Sequence, residues 1–190
     1  IEMREVRLGE DLALPVDELL RRADARTKLL FLCSPNNPTG NSFPRADMLR
    51  LADGFGGIVV VDEAYIDFSE EEGLCREIFA RPNLVVLQTL SKAWAMAGLR
   101  VGLALADRRV VELMSMVKYP YNIDVAAMRM AERLLDDPID EKVAALREQR
   151  DAVAAVLSRF RFVERVYPSD ANFLLVRVDD ADAVYDRLIG

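Results

Sequence analysis

The sequence predicts an α/β fold built on a mostly parallel sheet, followed by part of a smaller α+β domain. Four short apolar segments lack the polar alternation of half-exposed strands, so we expect both of their faces to be covered. Helical stretches separate several of these segments, at residues 29–33, 58–61, 84–87 and 101–106. Two later strands are predicted at 162–167 and 172–178. We therefore expect a large domain over residues 1–118 and a partial small domain over 119–190.

The composition excludes several classes of function. The 190 residues include 25 Lys plus Arg, 32 Asp plus Glu and no histidine, which gives a net charge of −7. Without histidine there is no Ser-His-Asp triad, Cys-His pair or His-ligated zinc. An acidic chain also argues against nucleic-acid binding, which depends on Lys and Arg. The two cysteines, Cys33 and Cys75, are too few for a disulfide scaffold or a metal site and suit a reducing cytoplasm.

Turn and capping signals divide the rest of the chain. Residues 1–8 are interpreted as a first strand, and Pro44 suits the first turn of a helix that ends at the glycines of 54–57. Asp107 is placed to cap the helix that follows the fourth apolar segment. A break at 119–122 precedes two more helices, the second of them long. We take this break as the domain boundary.

Polar residues follow the ends of three predicted strands. Asn37 comes after the first apolar segment, Asp62 ends the second, and residues 89–92 end the third. Ligands of parallel α/β sheets bind beyond the carboxyl ends of the strands. The three groups are therefore expected at one edge of the sheet.

These polar residues match the requirements of one cofactor. Lys92 lies in an otherwise apolar stretch, where partial desolvation favours a neutral amine able to form a Schiff base. Thr89, Ser91 and Arg100 are suited to holding a phosphate. Asp62 is a candidate partner for a protonated ring nitrogen. Together these are the parts that pyridoxal 5'-phosphate (PLP) requires.

Four segments, in order, resemble motifs of the PLP-dependent class I/II aminotransferases of fold type I: SPNNPTG at 34–40, VDEAY at 61–65, TLSK at 89–92 and AGLR at 97–100. Within that group, three segments are most similar to the histidinol-phosphate aminotransferase family: DEAYIDF at 62–68, SKAWAMAGLR at 91–100 and PSDANF at 168–173. The resemblance extends over essentially the whole chain. It implies amino-group transfer between L-histidinol phosphate and 2-oxoglutarate in histidine biosynthesis, by a ping-pong mechanism in a cytoplasmic homodimer.

The resemblance also implies roles for individual residues. Lys92 forms the Schiff base and carries the proton, while Asp62 keeps the pyridine nitrogen protonated. Asn37 and Tyr65 hydrogen-bond the phenolate oxygen of the cofactor. By analogy, Tyr121 and its neighbour Asn122 approach the site of the partner subunit.

The phosphate of the cofactor is assigned by the same resemblance to Thr89, Ser91 and Arg100. Three further parts of the family's site are expected before Ile1: the glycine-rich phosphate loop, the aromatic residue that stacks on the cofactor ring, and a tyrosine that enters the site of the partner subunit. The arginine for the substrate's acidic group is expected after Gly190. Because the chain starts without Met inside a predicted strand, we interpret it as part of a longer protein.

Other interpretations stay open at this point. The enzyme alternatives are an aromatic or aspartate aminotransferase, or a PLP-dependent decarboxylase of the same fold. An alternative of another class is a truncated, non-catalytic core. Taken singly, Lys92 is a surface lysine, Asp62 and Glu63 are a solvated pair, Asn37 is a turn former and Tyr65 is a core aromatic; Glu63 is assigned no function.

Overall fold

A computed structural model describes residues 1–190 and contains six strands and six α-helices. The strands are β1 Leu29–Cys33, β2 Ile58–Asp62, β3 Leu84–Thr89, β4 Gly102–Ala106, β5 Val163–Val166 and β6 Val176–Val178. The α-helices are α1 Val16–Arg22, α2 Arg45–Gly54, α3 Arg108–Val117, α4 Val125–Leu135, α5 Asp140–Leu157 and α6 Ala181–Ile189. Short 3-10 helices lie at Ile66–Phe68, Glu77–Phe79 and Ala97–Leu99.

The main sheet has the strand order β1-β2-β3-β4. The first three strands are parallel, and β4 returns antiparallel to β3. Later in the chain β5 and β6 form a separate antiparallel pair. The predicted α/β fold with a mostly parallel sheet is confirmed.

The main core lies on one face of this sheet. Leu51 of α2 packs with Val59 of β2 and Val86 of β3, and all three are fully buried. Val16 of α1 belongs to the same cluster. The prediction that both faces are covered is wrong for β1, where Leu29 and Phe31 are 52% and 68% exposed, and for β4, where Leu103 is 47% exposed. The reason is that α1 and α2 contribute to the core on the opposite face, so successive residues of β1 alternate between exposed and buried.

Three local expectations are wrong. Residues 1–8 form no strand, because no neighbouring strand supplies their backbone hydrogen bonds. Helix α1 carries no strong sequence signal and was not expected. The strand predicted over 172–178 is confined to Val176–Val178; before it, the Phe173 carbonyl accepts a hydrogen bond from Ser169 Oγ at 2.7 Å instead of from a neighbouring strand.

The predicted helix boundaries agree better with the structure. The Asp107 carboxylate accepts a hydrogen bond from the Arg109 amide at 3.0 Å and caps α3 as expected. Helix α2 begins directly after Pro44 and ends at Gly54. No helix has the length and apolar character needed to cross a bilayer.

A buried carboxylate ties a surface loop to the ends of β2 and β3. Glu63 is only 2% exposed and accepts hydrogen bonds from the Leu74 amide at 2.6 Å and from Gln88 Nε2 at 3.0 Å. The solvated interpretation is therefore wrong for Glu63. Burial raises its pKa above the usual value, although the bonds from Leu74, Gln88 and Cys75 act in the opposite direction.

We predict that Glu63→Gln changes how stability depends on pH. A raised pKa means that the folded chain keeps a proton that the unfolded chain releases from about pH 4.5 upward. Between pH 4.5 and the raised pKa of the folded chain, the free energy of unfolding therefore falls as pH rises, by up to about 1.4 kcal/mol per pH unit. The glutamine variant lacks this pH-dependent loss of stability, because its side chain does not titrate.

Urea unfolding of the wild type and of Glu63→Gln between pH 4 and 8, a range of about four units that begins just below the usual carboxyl pKa, measures the difference. The variant gains stability relative to the wild type as pH rises. The matched control, Glu148→Gln at an exposed position of α5, keeps the wild-type pH dependence. Parallel curves for the wild type and Glu63→Gln contradict the prediction.

Candidate active site

The parallel register brings the predicted site residues to one edge of the sheet. Cys33 at the end of β1 pairs with Asp62 at the end of β2, and Asp62 pairs with Leu87 of β3. Thr89 lies two residues beyond Leu87, so its side chain shares a sheet face with Asp62. Glu63, the next residue after Asp62, is directed to the opposite, core face. The site therefore opens on the face that α1 and α2 do not cover.

The loop after β1 brings Asn37 into contact with Tyr65. Asn37 Nδ2 donates to the Tyr65 hydroxyl oxygen at 3.2 Å, which joins two residues 28 positions apart. The Tyr65 ring is only 6% exposed, whereas Asn37 is exposed. The Tyr65 oxygen accepts this bond, and its own O–H proton meets no protein acceptor, so the proton is available to a ligand. Ser34 fixes the base of the loop, since its hydroxyl accepts from the Phe43 amide at 2.9 Å.

Lys92 lies in the tight loop that follows β3. The Ser91 amide donates to Thr89 Oγ1 at 3.1 Å and turns the chain directly after the strand. Lys92 Nζ lies 5.1 Å from the centre of the Tyr65 ring, within range of a cation–π interaction. The expectation of partial desolvation is wrong for this chain, because Lys92 extends over the uncovered side of the site and is exposed.

The same loop contains two residues with left-handed backbone. Ala95 has φ 54° and Arg100 has φ 56°, a conformation that costs non-glycine residues about 1 kcal/mol or more. Met96 and Leu90 anchor the loop by packing with Ala131 of α4. Arg100 Nη1 donates to the Ala97 carbonyl at 3.0 Å. These core contacts hold the loop in its left-handed conformation.

Arg100 also borders a groove of about 410 Å³. On its other side the groove is lined by Asn122 and the first turn of α4. The sequence placed Asn122 near a site only by analogy. In the structure it shares this groove with Arg100 of the same chain.

The charged residues of the site have no ion-pair partners. The chain contains twelve ion pairs, and none of them includes Asp62, Lys92 or Arg100. Asp62 Oδ1 accepts from the Ala64 amide at 3.0 Å, while its second oxygen has no protein donor. One carboxylate and two cations are thus free for a ligand that carries both signs of charge.

Two further ionisable groups lie beside the site. Burial raises the pKa of the Cys33 thiol, and the nearby Asp62 carboxylate raises it further. Its Sγ donates weakly to the Pro35 carbonyl at 3.4 Å. Burial also raises the pKa of Asp67 in the turn after Tyr65. A thiol with a raised pKa is a poor nucleophile at neutral pH, so Cys33 is assigned no catalytic role.

Sequence reasoning missed one group of residues at the site. The pattern over 172–178 predicts a strand, but the segment Ser169–Phe173 packs on the site loops. The Phe173 ring meets the Tyr65 ring edge-on, with centroids 5.2 Å apart and an interplanar angle of 83°. The similarity of PSDANF to a family motif was the signal available in the sequence.

Comparisons with known proteins agree with this arrangement. The family model "Aminotransferase class I and II" matches residues 1–189. A histidinol-phosphate aminotransferase of Flavobacterium johnsoniae is 47% identical over 191 residues, which cover 100% of this chain and 55% of that protein. The chain therefore spans about half the length of this curated relative.

Solved structures show the same fold. A histidinol-phosphate aminotransferase from Clostridium acetobutylicum superposes with a TM-score of 0.85 at 21% identity, over 96% of this chain and 57% of that one. The enzyme of that name from Sinorhizobium meliloti, solved in complex with pyridoxal-5'-phosphate, gives a TM-score of 0.74 at 23% identity, over 99% and 52%. With the family model matching nearly every residue, the chain belongs to the class I and II aminotransferases.

Proposed function

We propose that the protein containing this chain is a PLP-dependent aminotransferase whose cofactor is held at the edge formed by β1, β2 and β3. The observation that carries the proposal is that Asp62, at the end of β2, and Lys92 and Arg100, in the loop after β3, are unpaired in a chain that pairs many of its other charges. PLP carries a ring nitrogen that is cationic when protonated, a phosphate dianion and an aldehyde, so its charges complement these three side chains.

The hydrogen-bonding groups also fit this cofactor. The free oxygen of Asp62 is suited to accept from the protonated ring nitrogen. Asn37 and Tyr65 form one unit, and the unpartnered O–H of Tyr65 is suited to donate to the ring oxygen of the cofactor. Ser91 and Arg100 supply a hydroxyl and a guanidinium for the phosphate, and Thr89 braces the turn that carries Ser91.

The proposed chemistry divides between the cofactor and the chain. When bound, PLP supplies an electron sink that stabilises negative charge at the substrate Cα. Lys92 Nζ is the proposed nucleophile for the cofactor aldehyde and the base that removes and returns the Cα proton. Asp62 holds the ring-nitrogen proton, and Tyr65 keeps Lys92 in place through its ring face.

We propose L-histidinol phosphate as the amino donor and 2-oxoglutarate as the acceptor, in histidine biosynthesis by a ping-pong reaction. Support comes from the curated relatives called histidinol-phosphate aminotransferases, which are 38–47% identical to this chain over its full length. An aromatic or aspartate aminotransferase and a decarboxylase are the alternatives that the donor test separates.

A second copy of the chain is the proposed macromolecular partner, in the cytoplasm. Support for the dimer comes from a run of exposed apolar side chains along α3 and the following turn, including Met116, Val117, Tyr119 and Tyr121 at 79–93% exposure. Apolar patches of this kind mark protein contacts. Support for the compartment comes from the two cysteines, which are both free thiols.

We predict that Lys92→Ala abolishes the visible absorption band of the PLP-loaded protein and its borohydride-reducible lysine adduct. Transamination falls by about 10²- to 10⁴-fold or more, because the base is lost. Lys142→Ala, at an exposed position of α5, is the matched control and retains both signals. A reducible adduct that persists in Lys92→Ala contradicts the assignment, and peptide mass spectrometry identifies the lysine that carries it.

We predict that L-histidinol phosphate discharges the absorption band of the full-length protein in a half-reaction without an acceptor. Adding 2-oxoglutarate then restores the band, as a ping-pong mechanism requires. L-Phenylalanine and L-aspartate are the comparison donors. A spectral change with either of them and none with L-histidinol phosphate contradicts the proposed donor, and release of carbon dioxide identifies a decarboxylase.

We predict that Val117→Lys weakens self-association by at least about tenfold in Kd, because burial of an unpaired charge costs more than 1.4 kcal/mol. Sedimentation velocity over a concentration series measures the change. Leu188→Lys is the control, since Leu188 of α6 is also highly exposed, at 80%, but lies outside the apolar run. Unchanged association in Val117→Lys contradicts the proposed contact surface.

A further inference from the structure

The segment Ser169–Phe173 connects the C-terminal part of the chain to the loop that carries Asn37. The Asp170 amide donates to the Gly40 carbonyl at 2.7 Å, and the Ser42 amide donates to the Asp170 carboxylate at 3.0 Å. The second bond joins residues 128 positions apart. The segment is therefore fixed to the site loop by two bonds in opposite directions.

This contact requires a very close approach of the two segments. Gly40 has φ +81°, and a Cβ atom at this position would lie 2.6 Å from Ser169 Oγ. A side chain here would displace Ser169, and the positive φ would add strain. Gly40 thus serves both the turn of the loop and its contact with the C-terminal segment.

The segment is also held rigid from its own side. Ser169 Oγ donates to the Phe173 carbonyl at 2.7 Å and accepts from the Ala171 amide at 3.1 Å. Arg150 of α5 donates to the Ala171 carbonyl at 3.0 Å, and Ala171 is only 1% exposed. The position of Phe173 is therefore determined by α5 and by the loop at Gly40.

The fixed position of Phe173 also restricts Tyr65, because the two rings are in contact. The Phe173 ring packs edge-on against the Tyr65 ring, at a centroid distance of 5.2 Å. The other contacts of Tyr65 are the bond from Asn37 to its hydroxyl and the Lys92 ammonium above its ring. Rotation of the Tyr65 ring would change both of these contacts. Phe173 restricts that rotation.

We propose that Phe173 is a positioning residue of the site, which fixes the Tyr65 ring and through it the Asn37 amide and the Lys92 amine. Docking of Ser169–Phe173 on the Gly40 loop sets the geometry at β1, β2 and β3 from the C-terminal part of the chain. The effect of Phe173 on a bound cofactor rests on the proposed PLP function. Its effect on the position of the Lys92 amine does not depend on that function.

The test compares Phe173→Leu with the conservative variant Phe173→Tyr, which keeps the ring. Gly40→Ala is a second disruptive variant that acts from the other side of the contact. Phe162→Leu is the matched control, because Phe162 pairs with Phe160 and not with a site residue. Thermal unfolding of each variant confirms that it is folded.

The first readout needs no cofactor. An acylating reagent labels lysines, and peptide mass spectrometry compares Lys92 with the exposed Lys142 as internal reference. When Phe173 no longer holds the Tyr65 ring in place, the Lys92 amine loses its contact with that ring and becomes more accessible. The ratio of Lys92 to Lys142 labelling therefore rises about two- to fivefold in Phe173→Leu. Phe173→Tyr and Phe162→Leu keep the wild-type ratio.

The second readout uses the PLP-loaded full-length protein. Phe173→Leu moves the pH midpoint of the visible absorption band upward by roughly 0.5 to 1 unit, because the donors that favour the deprotonated ring oxygen are misplaced. Gly40→Ala shifts the midpoint in the same direction, whereas Phe173→Tyr, which keeps the ring, has the wild-type midpoint.

The outcomes separate the two proposals. If the wild type binds no PLP at Lys92, the proposed function fails, and the labelling ratio alone still decides the role of Phe173. If the wild type binds PLP but folded Phe173→Leu keeps both the wild-type labelling ratio and the wild-type midpoint, only the positioning role is overturned.

Discussion

The parallel pairing of β1, β2 and β3 is the constraint on which the rest of the site depends. Parallel strands end at the same edge, so residues far apart in the sequence converge there: Cys33 pairs with Asp62, and Thr89 follows on the next strand. Alternation along β2 then separates Asp62 from Glu63. One carboxylate faces the open side, where a ligand can reach it. The other is buried and binds the backbone of the loop that contains Leu74.

The distribution of charge gives this edge its chemical character. In a chain with a net charge of −7, most of the arginines that form ion pairs are on the surface, where the pairs add little stability. Lys92 and Arg100 have no such partner, and neither does Asp62. The loop that presents Lys92 and Arg100 is held in place by Met96 and Leu90 even though two of its residues have left-handed backbone. Core contacts thus support a conformation that local preferences disfavour.

The C-terminal part of the chain forms the second sheet and also contacts the site loops. Its segment Ser169–Phe173 fits against Gly40 and the Tyr65 ring, and Arg150 of α5 holds it there. A second arginine of α5, Arg147, donates to the Phe68 carbonyl at 2.8 Å, just after Tyr65. Helix α5 therefore orients both loops that meet at Tyr65. The geometry of the site depends on contacts from both ends of the chain.

The fold class, the helix boundaries at Pro44, Gly54 and Asp107, and the order of the site motifs follow from the sequence alone, because these depend on local periodicity, strand ends and specific residue patterns. The sequence also identified Asn37, Asp62, Tyr65, Thr89, Ser91, Lys92 and Arg100 as candidates for one site; their roles remain proposals. It failed where the outcome depends on distant partners. Residues 1–8 lack a strand to pair with, and the segment Ser169–Phe173 contacts a loop 128 positions away through Asp170, while its Phe173 carbonyl bonds to Ser169 instead of to a strand. The burial of Glu63, the exposure of Lys92 and the packing of Phe173 on Tyr65 emerge only in the folded chain, because burial and packing follow from which surfaces meet after folding.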